Sequence, residues 1–266
     1  MHVNRFGYGV DIVLVHGWGM HGAVLADFAR GLGARGRVHV PDLPGHGHSP
    51  ALPTFDQASV IDALRYALPG DAVWVGWSLG AVLAALAADP RRARALVLIS
   101  GVGRFTPGPG WPWGVSAAAL DDVRGALQDS AGAGVDALLR LVAAAGAGGR
   151  RSRRLLEERL AERPMASAST LQAALDLLAG VDARPALRQW HRPVLILGGD
   201  RDPLVPEGAL RQCADGMADA TLKVLAGAGH VPFISHPGAV LAAVEKFLCR
   251  VQRPAVSDNG EHDGYG

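Results

Sequence analysis

The chain is 266 residues long, 49% hydrophobic, and carries a formal net charge of +1. That length supports one substantial core with room for an insertion, the apolar share makes a packed interior the default, and the balanced charge gives no footing for a nucleic-acid surface. Cys213 and Cys249 are too few for a disulfide framework and lack metal-ligand spacing, so they read as free thiols in a reducing compartment, with a single bridge as the alternative. No run approaches the roughly 20 apolar residues that span a bilayer. The short apolar run Ile12–Val15 is stopped by His16, so no signal peptide is predicted and the expected location is the cytoplasm.

In chain order, Ile12–Val15 reads as a strand, Ala23–Leu32 as a helix, Arg37–Val40 as a strand and Ser59–Ala67 as a helix. Strand Val73–Val75 leads into helix Leu79–Ala88, with Pro90 just beyond its end, and then into strand Leu96–Ile99. From about residue 106 to 188 no strand pattern occurs. That stretch opens on Pro107-Gly108-Pro109-Gly110 and continues as several helices rich in Ala, Leu and Arg. Strand Val194–Leu197, helix Glu207–Asp215, strand Leu222–Leu225 and helix Ala239–Cys249 follow, and from Val251 onward the chain is polar and Gly-rich. Strand–helix alternation with nearly continuous apolar strands predicts a mostly parallel central sheet with helices on both faces. Residues 1–105 and 189–250 are assigned to this core, 106–188 to a helical lid inserted over one edge of the sheet, and 251–266 to a disordered tail.

The sequence Gly76-Trp77-Ser78-Leu79-Gly80 lies directly after strand Val73–Val75 and directly before the helix beginning at Leu79. A bare G-x-S-x-G arises easily by chance in a chain with 35 glycines. In a strand–turn–helix setting it is the nucleophile elbow of the α/β-hydrolase fold: the turn strains the serine, projects its hydroxyl above the sheet, and needs small residues on either side. Ser78 is therefore the expected nucleophile, and a Gly-rich turn without chemistry is the bland alternative.

In this fold the base follows the nucleophile and the acid lies between them. His230, in Gly227-Ala228-Gly229-His230 after strand Leu222–Leu225, is the expected base. His16, His46 and His48 precede Ser78 and read as loop hydrogen-bonding residues. For the acid, Gly199-Asp200-Arg201-Asp202 offers two candidates. Asp202, further out and before Pro203, is preferred, while Asp200 is expected to pair with Arg201 or to cap local backbone donors. The oxyanion donors are expected to be the backbone N–H of Leu79 and, from the loop His16-Gly17-Trp18-Gly19, that of Trp18. The Trp18 indole either packs within its loop or walls the acyl pocket. Chemistry of this kind calls for no metal and no organic cofactor.

These motifs, together with Trp111-Pro112 and the run His230-Val231-Pro232-Phe233-Ile234-Ser235-His236-Pro237, resemble the pimeloyl–acyl-carrier-protein methyl ester esterases of biotin synthesis nearly end to end. The resemblance implies the triad Ser78, Asp202 and His230, and substrate contacts from Trp18, Ser78, Leu79 and His230. It also implies an acyl-contact segment on the lid at Leu138, Leu139 and Val142. There the chain departs from the family, which has an aromatic residue and a glutamine where Leu138 and Val142 stand. The implied partner is an acidic acyl-carrier protein docking on Arg150, Arg151 and Arg154. On a helix these three arginines would share a face opposite Leu156 and Leu160, although Glu157 and Glu158 offer Arg153 and Arg154 ordinary surface pairing. Two other functions remain open: a broad carboxylesterase for short acyl esters using the same triad, and a non-catalytic binding protein on the same fold.

Overall fold

A computed structural model describes residues 1–143, 146 and 148–252. In chain order its elements are β1 (Val3–Phe6), β2 (Asp11–Val15), a 3-10 turn at Gly22–Leu25, α1 (Ala26–Leu32), β3 (Arg37–Pro41), α2 (Gln57–Ala67), β4 (Val73–Trp77), α3 (Leu79–Ala87) and β5 (Ala95–Ile99). Next come α4 (Ala117–Asp129), α5 (Ala131–Ala143), α6 (Gly149–Leu160), α7 (Ala168–Gly180) and α8 (Arg184–Arg188). They are followed by β6 (Val194–Gly199), α9 (Glu207–Asp215), β7 (Ala220–Leu225), α10 (Pro232–Ser235) and α11 (Pro237–Gln252).

The seven strands among the described residues form one sheet in the order β1-β3-β2-β4-β5-β6-β7. Every neighbouring pair is parallel except β1 with β3. All residues of β4 and β5 are buried, which is why those segments read as continuous apolar runs rather than alternating ones. β1 carries no such signal. Its sequence Val-Asn-Arg-Phe is short and half-buried at the sheet edge, and the sequence reading passed over it. A second difference lies at the other end, where α11 extends through Val251 and Gln252, both assigned above to the tail; residues 253–266 lie outside the described residues.

The insertion between β5 and β6 is helical throughout its regular elements. Ser116 and Ser167 start α4 and α7 by accepting the N–H groups of Ala119 and Thr170, as N-cap serines do. Buried Leu120, Val123 and Leu127 of α4 and Leu171, Leu175 and Leu178 of α7 turn the apolar faces of these helices inward. α6 is different: four arginines fall among its first six residues, and only Ser152 and Leu156 are buried.

The sheet order reverses direction at β2, which has β3 on one side and β4 on the other. At such a switch point the loops leaving the carboxyl ends of the two central strands diverge and open a crevice. Val15 of β2 pairs with Gly76 of β4, so the loop beginning at His16 and the turn carrying Ser78 emerge side by side.

Candidate active site

Ser78 has φ 56° and ψ −125°, a conformation that non-glycine residues rarely adopt. The surrounding sequence makes it attainable. A Cβ on Gly76 would collide with the Gly80 carbonyl, and one on Gly80 with the Val15 carbonyl, so the elbow closes only with glycine at both places. The Ser78 N–H is held by the Ile99 carbonyl of β5 at 3.0 Å.

Three side chains from three different strand ends meet here. His230 Nε2 lies 2.9 Å from Ser78 Oγ, and His230 Nδ1 lies 2.8 Å from Asp202 Oδ2 and 3.0 Å from its Oδ1. Asp202 Oδ1 also accepts the N–H groups of Leu204 at 2.9 Å and Val205 at 3.0 Å, which fixes the carboxylate toward the ring. All three residues are buried. Asp200 does not reach the histidine; its Oδ1 accepts the Gly227 N–H at 2.7 Å and ties down the loop that carries His230. Of the two alternatives weighed from sequence for Asp200, it is the backbone cap that the structure displays.

Trp77 has a physical role that the motif alone does not reveal. Its indole Nε1 donates to the His230 carbonyl at 2.8 Å, and its ring packs edge-on against Phe233 with centroids 5.0 Å apart. The residue before the serine thus buttresses the loop of the base, and Phe233 in the late motif backs the same tryptophan.

On the other side of Ser78, Gly17 approaches so closely that a Cβ there would sit 3.1 Å from Ser78 Cβ. Trp18, next in the loop, is 2% exposed, lines the cavity above Ser78, and donates its indole N–H to the Leu171 carbonyl at 2.9 Å. Of the two readings left open from sequence the ring takes the place at the cavity wall, and its N–H reaches the insertion rather than its own loop. Within α5, Leu138 and Val142 line this cavity but Leu139 does not. One residue along a helix is a turn of about 100°, so Leu139 points into the protein interior while Leu141 takes the lining place. Sequence reasoning missed Leu120 and Val123 of α4 and Leu175 and Leu178 of α7, which close the cavity from above. Their spacing signalled only an amphipathic helix. The space enclosed is about 30 Å³, room for one or two water molecules.

Two buried histidines brace the loop, His16 at its start and His46 with its ring 5.6 Å away. His16 donates through Nδ1 to the Gly17 carbonyl at 2.9 Å and accepts the Leu43 N–H on Nε2 at 2.9 Å, an arrangement that fits only the neutral ring. Burial, reinforced by neighbouring His46, pushes its pKa from 6.5 down to about 3. Burial likewise lowers His46 from 6.5 to about 4. Both pKa values are depressed on folding, so the unfolded chain binds protons here that the folded chain refuses. Stability is complete above pH 6.5 and is lost as pH falls toward 4. His46→Gln is expected to remove about 2 to 3 kcal/mol of the acid-induced loss at about pH 4.5. Thermal midpoints measured across this range check it, and parallel curves for the two proteins would contradict it.

Arg150, Arg151 and Arg154 all lie exposed on α6. Arg154 is paired with Glu158 at 2.8 Å and Arg153 with Glu157 at 2.7 Å, the surface pairing foreseen as the alternative. Arg150 and Arg151 form no ion pair among the described residues. Among the described residues no helix is long and apolar enough to cross a membrane, and Cys213 and Cys249 are both free.

A sequence profile of the alpha/beta hydrolase family matches residues 12–244. Curated relatives named pimeloyl-[acyl-carrier protein] methyl ester esterase align over nearly the whole chain. The one from Xanthomonas campestris pv. campestris is 36% identical, covering 93% of this chain and 98% of its own length. The one from Methylococcus capsulatus is also 36% identical, with the same coverage of each chain. Among solved structures, an esterase from Exiguobacterium antarcticum superposes with a TM-score of 0.82 at 19% identity, covering 93% of this chain and 95% of that one. A bromoperoxidase from Bacillus anthracis gives 0.81 at 21% identity, covering 93% and 94%, so the fold is shared by proteins of different activity. By its profile and its relatives, the chain belongs to the alpha/beta hydrolase family and, within it, to the pimeloyl-[acyl-carrier protein] methyl ester esterases.

Proposed function

We propose that this carboxylic ester hydrolase cleaves the methyl ester of a carrier-bound pimeloyl chain, giving pimeloyl-acyl-carrier protein and methanol in biotin synthesis. The observation that carries the chemistry is the hydrogen-bonded chain Ser78–His230–Asp202 at the floor of an apolar cavity. Kinship with relatives of that name carries the substrate. Ser78 attacks the ester carbon while His230 takes its proton at Nε2. Asp202 holds the ring with its Nδ1–H toward the carboxylate and stabilises the imidazolium. The backbone N–H groups of Leu79, at the start of α3, and of Trp18 receive the tetrahedral oxyanion. His230 then returns the proton to the departing methoxide, and water repeats the sequence on the acyl-enzyme.

A linear chain suits the surroundings of Ser78. Leu138, Leu141 and Val142 with Leu175 and Leu178 offer an apolar wall, against which each methylene gains about 0.8 kcal/mol on burial. Helices α4, α5 and α7 of the insertion roof this narrow cavity, so the insertion acts as a lid over the chain. The acidic carrier docks on Arg150, Arg151 and Arg154, whose exposed guanidinium groups stand at one end of that lid. Two free thiols suit a cytoplasmic setting.

Reversing the three arginines to glutamate is expected to lower kcat/KM for carrier-bound ester roughly 10-fold at low salt, because exposed charge acts mainly through encounter. A small p-nitrophenyl ester should be hydrolysed as before, and added salt should narrow the difference. Equal losses on both substrates would mean a damaged lid and would sink the docking assignment. The whole reading is tested by expressing the protein in a biotin-requiring bacterial strain that lacks its own esterase. Growth without biotin is expected, and Ser78→Ala should abolish it. Failure of the well-expressed unaltered protein to restore growth would count against the substrate.

A further inference from the structure

The loop between β2 and the 3-10 turn, residues 16–22, is fastened to the lid at three points. Trp18 Nε1 donates to the Leu171 carbonyl of α7 at 2.9 Å. His21 Nε2 lies 3.2 Å from the Leu160 carbonyl at the end of α6. The Gly22 N–H donates to Asp42 Oδ1 at 2.7 Å, and the same oxygen receives Arg163 Nη1, from the segment after α6, at 2.6 Å. This last contact is a buried ion pair, with side-chain exposures of 9% for Arg163 and 0% for Asp42. Separating it would strand a charge, so the lid settles firmly where the pair is made. Asp42 Oδ2 accepts the His48 N–H at 2.9 Å, so one carboxylate joins two core loops to the lid.

An oxyanion donor is useful only when its N–H points at the forming oxygen from about 2.7 to 3.1 Å, and small displacements forfeit much of the effect. Trp18 supplies that donor from its backbone, while its own side chain reaches the lid. Helices α4, α5 and α7 roof the narrow cavity that a substrate chain must enter, and any movement of α7 takes the Leu171 carbonyl with it. Hole geometry and lid position are therefore mechanically linked through one residue.

We infer that Trp18 is a positioning residue as well as a donor: the bond from its indole to Leu171 sets its backbone N–H in place only when the lid is shut, so closure over a bound chain completes the oxyanion hole. The inference rests on the assignment of Trp18 to that hole. It supplies a further source of selectivity. An acyl group presented while the lid is open, such as the thioester of the carrier itself, meets an incomplete hole and is not cleaved. Binding energy gained along the chain is converted into catalytic geometry at its far end.

The test uses the full-length protein with p-nitrophenyl acetate and a fluorophosphonate probe, neither of which involves a carrier. Trp18→Phe removes the indole N–H and keeps an aromatic ring. Arg163→Lys keeps the charge beside Asp42 but loosens the lid's grip, and it touches no reacting group. The first is expected to lower kcat about 10-fold and the second about 3-fold. The rate of fluorophosphonate inactivation should fall in the same proportions, with KM within about twofold and every active site still titrated by the probe. A purely structural role would instead reduce the number of titratable sites or raise KM. Unchanged kcat in Trp18→Phe overturns the inference; if that variant does not fold, unchanged kcat in Arg163→Lys overturns it alone. Failure of the carrier-ester reading would appear separately, as no turnover of carrier-bound methyl ester by the unaltered protein that still hydrolyses p-nitrophenyl acetate.

Discussion

Ser78→Ala is expected to lower kcat by about 10⁵-fold or more while leaving the thermal midpoint close to that of the unaltered protein. Losing the nucleophile of a serine triad removes covalent catalysis outright, and the remainder comes only from binding and the oxyanion donors. Stability should survive because the elbow is built by Gly76, Gly80 and the Ile99 carbonyl rather than by the hydroxyl. Alanine at φ 56° is no more strained than serine, and only the 2.9 Å contact with His230 disappears. His230→Ala should cost a similar factor, and the double variant little more, since the two residues act as a unit. Steady-state kinetics on p-nitrophenyl acetate, with unfolding curves alongside, check the pair. Turnover within about 10-fold of wild type in Ser78→Ala would mean that another group performs the attack.

The second large effect separates two neighbouring aspartates. Asp202→Asn is expected to lower kcat about 10⁴-fold, because an amide facing His230 Nδ1 stabilises the tautomer whose Nε2 carries the proton and so cannot accept one from Ser78. The Asn carbonyl can still receive the N–H groups of Leu204 and Val205, so the loop should hold its shape. Asp200→Asn should cost far less, since its Oδ1 meets only the Gly227 N–H and an amide oxygen is an adequate acceptor there. Comparable losses at the two positions would remove the basis for choosing Asp202.

The active-site core was legible in the sequence because its determinants are local. A glycine-flanked serine between a buried apolar run and a helix start is one contiguous signal, and the order Ser, Asp, His confined the search for partners to two later strand ends. The central strands were legible for the same reason, each being a fully apolar run. β1 was not: four residues of mixed character become a strand only by pairing with β3 across 30 intervening residues. The lid read as helical, but its facing was opaque. Nothing in the run Leu138–Val142 says that Leu138, Leu141 and Val142 look into the cavity and Leu139 away from it, until α5 is set against α4 and α7. Least visible were the long-range polar ties. The Arg163–Asp42 pair joins residues 121 apart, and the Trp18–Leu171 and Trp77–His230 bonds each span 153, so no spacing rule could bring them together. Those ties are what turn a serine, a histidine and an aspartate into a site with a fixed shape.

Intrinsic reactivity alone would favour attack on the thioester of a carrier-bound pimeloyl methyl ester, because it is the more electrophilic of the two acyl carbons. In the proposed arrangement, with the carrier held at α6 and the chain threaded under the lid, only the far ester reaches Ser78, and positioning reverses that preference. Mass spectrometry of the carrier after a single turnover decides between the bonds. The account predicts a carrier that keeps its acyl chain and loses the mass of one methylene, with methanol released. A carrier returned as the free thiol would contradict it and would make the protein a thioesterase.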